Sequence, residues 1–467
     1  MPSLVGRATT LVLFLALGAS HSAQAAPIGS IFTTPTGGDA NSTFLNPAAM
    51  STIEGTEIAF FASVSLIRAQ YSRATPSAYD GQYLDQARLD APKPDVALSV
   101  VTDAGLSELD IWKNFRFGLS ATVPLLDGAT WPEDSRASYY YAIIGRQVTF
   151  MLQPTVGYKI NRYISVAVGM DIMAAWLAQE VNLDYGAKIN QAGCALNPSA
   201  PCDANAPFKR EDPSLTGLVE IGGLGWGLGV TGGLLVTPTP WLAFAFSVHS
   251  GASISVPVDI ELSIPQVATD YVKEHLPTIS LPALKAKGIA INVVPTIISA
   301  GISIRPLDSL LVSLDMQWID KSRTSILDVS MQSTTTAMIA DQILIKALKD
   351  DWLFGITGIY EVIPSLKLAL RFEADPNTRP ERYYTPVSVD FDKFALSLGI
   401  AWQATRWLNL SVEYSHYFIP SKNVEVSNFK PNANPTTPEE DGFDKPLPTG
   451  LYSAQTDRFG LSASFSF

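Results

Sequence analysis

The chain has 467 residues and a formal net charge of −12, from 32 Lys and Arg against 44 Asp and Glu. That balance excludes the basic footprint of a nucleic-acid binder and of a cationic protein that lies on a membrane surface. Its hydrophobic share, 47%, is that of an ordinary globular protein, so composition does not separate several soluble domains from one large barrel.

Residues 1–25 read as a secretory signal peptide. Arg7 supplies the positive start, Leu11 to Ala19 an apolar core, and Ala23-Gln24-Ala25 a small-x-small cleavage site. That apolar run is too short to span a bilayer. Ahead of the first strand, the stretch from Ala40 to Gly55 reads as a capped compact element. In "FLNPAAMSTIEG" Asn46 suits a helix N-cap, Pro47 suits the first helical position, and Gly55 can close the segment.

From Thr56 onward, residues 56–467 alternate with a period of two. In "FRFGLSATV" Phe115, Phe117, Leu119, Ala121 and Val123 share one face, opposite Arg116, Gly118, Ser120 and Thr122. "FALSLGIAWQ" and the terminal "RFGLSASFSF" repeat the pattern. The spacing predicts about fourteen strands, near 56–72, 94–103, 114–125, 146–160, 162–178, 224–237, 240–256, 289–305, 308–321, 351–363, 365–375, 392–404, 406–420 and 456–467. "GIAINVVPTIISAGISI" (Gly288 to Ile304) is apolar enough to suggest a membrane helix, but it is short, β-branched and interrupted by Pro295.

The connections decide the fold. "KINRY", "VTPTPW", "IRPLDS", "EVIPSL" and "WQATRW" are tight turns, and long loops lie between the pairs they make. Short–long alternation is the layout of an antiparallel transmembrane β-barrel, all-β, with short periplasmic turns and long extracellular loops. Lipid cannot satisfy an open sheet edge, so such strands cross only within a closed sheet. Trp176, Trp241, Trp318, Trp352, Trp402 and Trp407 fall at predicted strand ends, as an interfacial girdle requires. The expected location is the outer membrane of a Gram-negative cell, and the closed sheet demands no partner, so a monomer is expected.

Parity then assigns the lumen. In "GLGWGLGVTGGLLV" the inward set is Gly225, Gly227, Gly229, Thr231 and Gly233, which leaves room either for a bulky cargo or for an internal plug. The inward charges are Arg116, Asp171, Asp315, Lys367, Arg371, Glu373, Lys393 and Glu413. Arg371 with Lys367 is the preferred pair for a cargo carboxylate, with Arg116 and Lys393 as further candidates. The alternative is that these charges pair with one another or with the plug.

No catalytic constellation stands out, because His249-Ser250 and Ser415-His416 are sequence neighbours whose strand side chains point to opposite faces. No enzyme activity, cofactor or metal is expected. Cys194 and Cys202, in a Pro/Asn/Ala-rich loop, suit a loop-closing disulfide in an oxidising compartment.

"GSIFTTPTGGDANSTFLNPAAM", "LQPTVGYKINRYISVAVGMDI" and the run from Leu368 to Phe418 resemble, in that order, the long-chain fatty acid outer-membrane transporter (FadL/TodX, OMPP1) family. The resemblance implies a fourteen-stranded barrel whose lumen is plugged by an N-terminal hatch, residues 26–55, with the Asn46-Pro47-Ala48 motif as gate. It implies passive transport of hydrophobic molecules, long-chain fatty acids first and aromatic hydrocarbons second, and a kink in the third strand for sideways exit. Pro124, which ends the predicted third strand, gives no clear mid-strand kink. Loops 179–223 and 257–288 match the family's substrate-gathering loops in position, and in "PQVATDYVKEHL" Val267, Tyr271 and Leu276 could line an apolar groove. Phe467 resembles the terminal signal read by the barrel assembly machinery, with outer-membrane lipid as surroundings. A plugged adhesin barrel and an open general porin are the competing readings.

Overall fold

The computed structural model describes residues 29–77, 79–106, 112–132, 135–139, 144–187, 189–190, 208–209, 211–275, 284–324, 326–331, 342–345, 347–386, 389–428 and 448–467. The expected signal peptide, Cys194, Cys202 and Leu276 lie outside these residues.

Fourteen antiparallel strands close on themselves. They are β1 (Thr56–Arg73), β2 (Ala87–Thr102), β3 (Phe115–Thr130), β4 (Ile144–Lys159), β5 (Ile164–Asp184) and β6 (Thr216–Thr239). Then come β7 (Leu242–His249 and Ala252–Ser263), β8 (Leu284–Val294 and Ile297–Leu307), β9 (Leu310–Ile319 and Ile326–Met331) and β10 (Gln342–Ile345 and Asp351–Ile363). The last four are β11 (Leu366–Asp375), β12 (Lys393–Gln403), β13 (Leu408–Phe418 and Lys422–Val424) and β14 (Gly450–Ser466). Closure is the pairing of β14 with β1, running from Glu57↔Ser466 to Arg73↔Gly450. The join is finished by Thr56 and Phe467, each donating its N–H to the other's carbonyl at 3.1 and 2.8 Å. Gly55 turns the chain into β1 with φ +69°, and a Cβ there would strike the Phe467 carbonyl.

The outer face is apolar where parity predicts it. Phe394, Leu396, Leu398, Ile400 and Trp402 are exposed on β12, while Ala395, Ser397 and Ala401 are buried. Trp241, Trp402 and Trp407 stand exposed at the tight-turn end, and Trp352, paired with Trp318, at the other. A thirteen-residue segment such as Asp351–Ile363, tilted by about 40°, covers the ~25 Å apolar band of an outer membrane.

Several strands run well beyond their sequence-predicted ends on the long-loop side. β2 begins at Ala87 rather than 94, β6 at Thr216 rather than 224, and β14 at Gly450 rather than 456. Above the bilayer the outward face meets water, so the outward apolar residues that define a membrane strand are replaced by polar ones. In the upper segment of β7, Ser253, Ser255, Asp259 and Glu261 are exposed while Ile254, Val256, Val258 and Ile260 are buried. β3 also corrects its expected end. It passes Pro124 with a register shift between Thr122 and Leu125 and continues to Thr130. Pairing of β2 with β3 is confined to Ala97–Thr102 against Phe117–Thr122, so the two strands part above that point.

A second irregularity sits in β7. The β6–β7 register is interrupted between Thr231↔His249 and Gly223↔Val258. The break is made by Ser250 and Gly251. Gly251 has φ +65°, and a Cβ there would meet the backbone of Val294 and Pro295. Beyond it β7 leans inward onto the glycines of β6: a Cβ on Gly225 would lie 2.7 Å from the Ser255 carbonyl, and one on Gly227 2.5 Å from Ile254 Cγ1. The glycine row therefore seats a neighbouring strand rather than a cargo. Opposite it, Trp226 stands 69% exposed on the lipid face.

Gly227→Val should force Ile254 out of its seat and cost roughly 1–3 kcal/mol. Gly358, where an added Cβ meets nothing within 4 Å, is the control, and Gly358→Ala should shift stability by less than about 0.5 kcal/mol. Urea unfolding of the detergent-folded barrel, followed by heat-modified gel mobility, reads both. Equal midpoints for the two variants would contradict the seat.

Candidate functional site

The site is the lumen together with the segment that fills it. Residues 29–55 lie against the inward faces of strands from both sides of the barrel. The Ser30 hydroxyl and the Ile31 N–H both donate to Glu413 Oε2 on β13, at 3.0 and 2.8 Å. Thr36 meets Ser303 of β8 at 2.6 Å between hydroxyl oxygens. Ala40 N–H donates to Glu57 of β1. Small inward residues make the space: a Cβ on Gly157 would press on Met50, one on Gly301 on Pro35, and one on Gly399 on Ile31 and Phe32.

The centre of this plug is a short helix, α1 (Ser42–Leu45), followed by a 3-10 turn over Pro47–Thr52. Asn46 has extended backbone, φ −155°, and caps the turn by accepting from Ala48 N–H at 3.1 Å. Pro47 takes the first position, where a missing N–H costs nothing. The Asn46 amide then donates to the carbonyls of Pro35 and of Leu234 on β6, at 3.0 and 3.1 Å. Asn46 and Ala48 are fully buried, and Gly233 leaves the room they occupy. One asparagine thus folds the plug on itself and pins it to the wall.

Two inward residues of β7 hold the end of α1. Ser247 donates its hydroxyl to the Leu45 carbonyl at 2.5 Å, and His249 Nε2 lies 2.9 Å from the Phe44 carbonyl. His249 Nδ1 lies 3.1 Å from Asp171 of β5, and its ring stacks on Phe44 at 4.9 Å. Ser247 and His249, like Asp171, are inward by parity, but neither is among the sequence-predicted site residues. Their meeting spans β6 and depends on inter-strand register.

The lumen is divided by polarity. On one side Phe44 and Leu45 of the plug join Met151, Met173, Leu177, Ile254 and other buried apolar residues. On the other side the charges are paired. Arg371 makes a two-pronged ion pair with Asp315 at 2.7 and 2.8 Å, adds Glu373 at 3.2 Å and donates to Thr357 at 2.9 Å. Gly355, on the strand between, leaves the gap that this ion pair crosses. Arg458 holds Ser63 and Asp95. The cavity between plug and this wall, lined by Ser30, Leu45, Gln317, Arg371, Tyr417 and Arg458 among others, has a volume of about 20 Å³. That admits a water molecule and no cargo.

The remaining candidates fall elsewhere. Lys393 is buried between Asp375 and Asp390, at 3.1 and 3.0 Å, beside the Lys321–Asp351 pair at 2.6 Å. In the loop preceding β12, burial pushes the Asp390 carboxyl up. The lysines Lys393 and Lys321, with the Thr378 hydrogen bonds, outweigh this and hold it well below the usual carboxylate range. Arg116 donates to the Ile53 carbonyl at 2.9 Å and so fastens the end of the plug. Lys367 is exposed near the Ile363–Leu366 turn, so the structure does not join it to Arg371. Helix α2 (Gln266–His275) buries Ala268 and Val272 rather than the expected Val267, which is exposed; Tyr271 packs edge-on against Phe208 at 4.5 Å. Loops 179–223 and 257–288 do meet, through Tyr185, Leu215, Leu262 and Val272. No cluster able to hold a metal occurs among the described residues.

Removing Arg371 alone should strand two buried carboxylates. Arg371→Met is expected to cost about 3–5 kcal/mol, and Arg371→Met with Asp315→Leu and Glu373→Leu to recover most of it. Lys367→Met should change stability by less than about 0.5 kcal/mol. Unfolding midpoints test this, and a neutral Arg371→Met would contradict the pairing.

Among known structures, the chain is similar to a Pseudomonas aeruginosa FadL homologue, at 18% identity over 96% of this chain and 100% of that one, with a TM-score of 0.73. It is similar to the Ralstonia pickettii toluene transporter TbuX, at 14% identity over 92% and 94%, TM-score 0.60. It is also similar to the Pseudomonas putida toluene transporter TodX, at 13% identity over 95% and 99%, TM-score 0.60. No curated protein matches. Residues 33–467 match the family described as outer membrane protein transport protein (OMPP1/FadL/TodX). Closed fourteen-strand barrel, outer-membrane girdle and family match agree, and the chain belongs to this family of passive outer-membrane transport channels.

Proposed function

We propose that the chain is a hatch-gated passive transporter of hydrophobic molecules, with residues 26–55 as the hatch and Asn46, Pro47 and Ala48 at its pivot. The observation that carries this reading is the kind of contact the plug makes. Its fastenings are scattered hydrogen bonds at Glu413, Ser303, Glu57, Leu234, Ser247, His249 and Arg116, not a continuous ladder. The buried side-chain hydroxyls of Ser42 and Thr43 have no hydrogen-bond partner among the described residues. Such a segment belongs to the low-stability end of a structure, where moving parts are drawn from.

Cargo gathered by the meeting loops enters along the apolar half of the lumen. From Ile254 to Ile260 the buried row on β7 alone is about 20 Å long, and it ends beside Phe44 and Leu45 of the hatch. That length suits an extended hydrocarbon, so long-chain fatty acids are the first reading, recognised through the tail. Arg371 and Lys393 are already paired with protein acids, which gives the carboxylate no partner there. The same pairing favours the second reading, an uncharged aromatic hydrocarbon, as in the toluene transporters TodX and TbuX. The seam where β2 and β3 part above Ala97 and Thr122 is the proposed sideways exit.

A disulfide across the hatch tests the gate. With Thr36→Cys and Ser303→Cys, oxidation should tether hatch to β8, block uptake of both oleate and methyl oleate, and be reversed by reduction, while the parent chain treated alike is unaffected. Unblocked uptake in the oxidised pair would overturn the gate. In the reduced protein the acid and its ester should be taken up at similar rates, since a lumenal bond to the carboxylate would separate them by more than about tenfold.

A further inference from the structure

His249 stands between two groups that, with Asp171 ionised, can only accept. Its Nδ1 faces the Asp171 carboxylate at 3.1 Å and its Nε2 faces the Phe44 backbone carbonyl at 2.9 Å. A neutral imidazole carries one N–H and one bare nitrogen, so it can donate to either partner but not to both, and leaves its lone pair against an acceptor. The imidazolium donates at both nitrogens. Beside an ionised Asp171, only the protonated ring makes both contacts.

We propose that His249 is a proton-operated latch on the hatch: the imidazolium ties α1 to the wall through the Phe44 carbonyl, and loss of the proton releases that tie. The inference rests on the hatch reading given above. Around the ring, β5 contributes Asp171, β6 contributes Thr231, β8 contributes Ile297 and the hatch contributes Phe44. Asp171 is the titratable and charged group that faces it from these elements. Asp171 and His249 are 0% and 4% exposed, so solvent screens their interaction little.

The latch is placed where cargo would act on it. His249 is the last residue before the Ser250–Gly251 break, and beyond that break Ile254 packs in one apolar cluster with Phe44 and Leu45. A hydrocarbon pressing into that cluster pushes on the residue whose carbonyl the latch holds. Proton and cargo thus bear on the same contact from opposite sides: the proton favours closure, the cargo favours release. When the ring deprotonates, Nδ1 or Nε2 keeps the remaining hydrogen; if Nδ1–H stays on Asp171, Nε2 and the Phe44 carbonyl become two acceptors facing each other.

With the proton on the ring the hatch is held, and when rising pH removes it the hatch loosens. Uptake of toluene, whose own charge does not change, is measured in cells with intact outer membranes at about pH 5.5 and about pH 8. Wild type should take up toluene faster at the higher pH, by roughly tenfold for the loss of one charge-assisted hydrogen bond. His249→Gln and His249→Phe should remove the difference, with His249→Phe fast at both values. Equal wild-type rates at the two pH values, or an unchanged rise in His249→Gln, would overturn the latch while leaving transport standing. Absence of uptake at both values would count against transport itself, and against the latch with it. Should the variants fail to assemble, amide hydrogen exchange of wild-type residues 42–50, corrected for the intrinsic pH effect, decides the matter. Protection must fall as pH rises, and constant protection overturns the proposal.

Discussion

Lipid offers no hydrogen bonds, and that single fact dictates most of this structure. Each backbone N–H and C=O at membrane depth must find a partner within the sheet, so the ladder has to close from β14 back to β1. Closure fixes an even strand number, an apolar outer face and a central lumen of matching size. The lumen is then the problem the rest of the sequence solves. Left empty it would be a water-filled hole. Here it is filled by two devices of different origin, an N-terminal plug and the inward-leaning upper part of β7.

These devices divide the interior. The leaning arm brings Ile254, Val256, Val258 and Ile260 against Met173, Leu177 and the plug residues Phe44 and Leu45, making an apolar half. Across from it, buried charges are balanced locally, with Arg371 crossing the space over Gly355 to reach Asp315. Pairing of this kind adds little net stability, yet each pair is costly to break. In the proposed gating the polar half is the fixed frame, and the apolar half, joined to the plug by a few hydrogen bonds, is the part that rearranges.

Much of the barrel was legible in the sequence, because lipid enforces period-two alternation and the turns lack room for anything but short polar connections. The outer faces of β3, β12 and β14, the tight turns and the Asn46-Pro47 cap follow from local rules. What local rules cannot supply is register. Asp171 and His249 belong to strands separated by β6, and Asp315 and Arg371 to strands separated by β10, so neither pairing leaves a mark in either strand alone. Parity identified Arg371 as inward but could not show that its guanidinium was already spoken for. The upper parts of β2, β6, β7 and β14 escaped for another reason: above the bilayer the outward side chains face water, and the signal that defines a membrane strand ends there. Gly225 and Gly227 were legible as small and inward, while the strand that occupies their space was not.

Residues 29–55 are proposed to be what closes this barrel. The most direct measurement is ion conductance across a planar bilayer, comparing the full chain with one lacking residues 29–54. The full chain should show little steady conductance, and the shortened chain should show sustained open-channel steps. A shortened chain that assembles yet stays as silent as the full one would assign closure to the leaning arm of β7 alone and rule out the plug as the barrier.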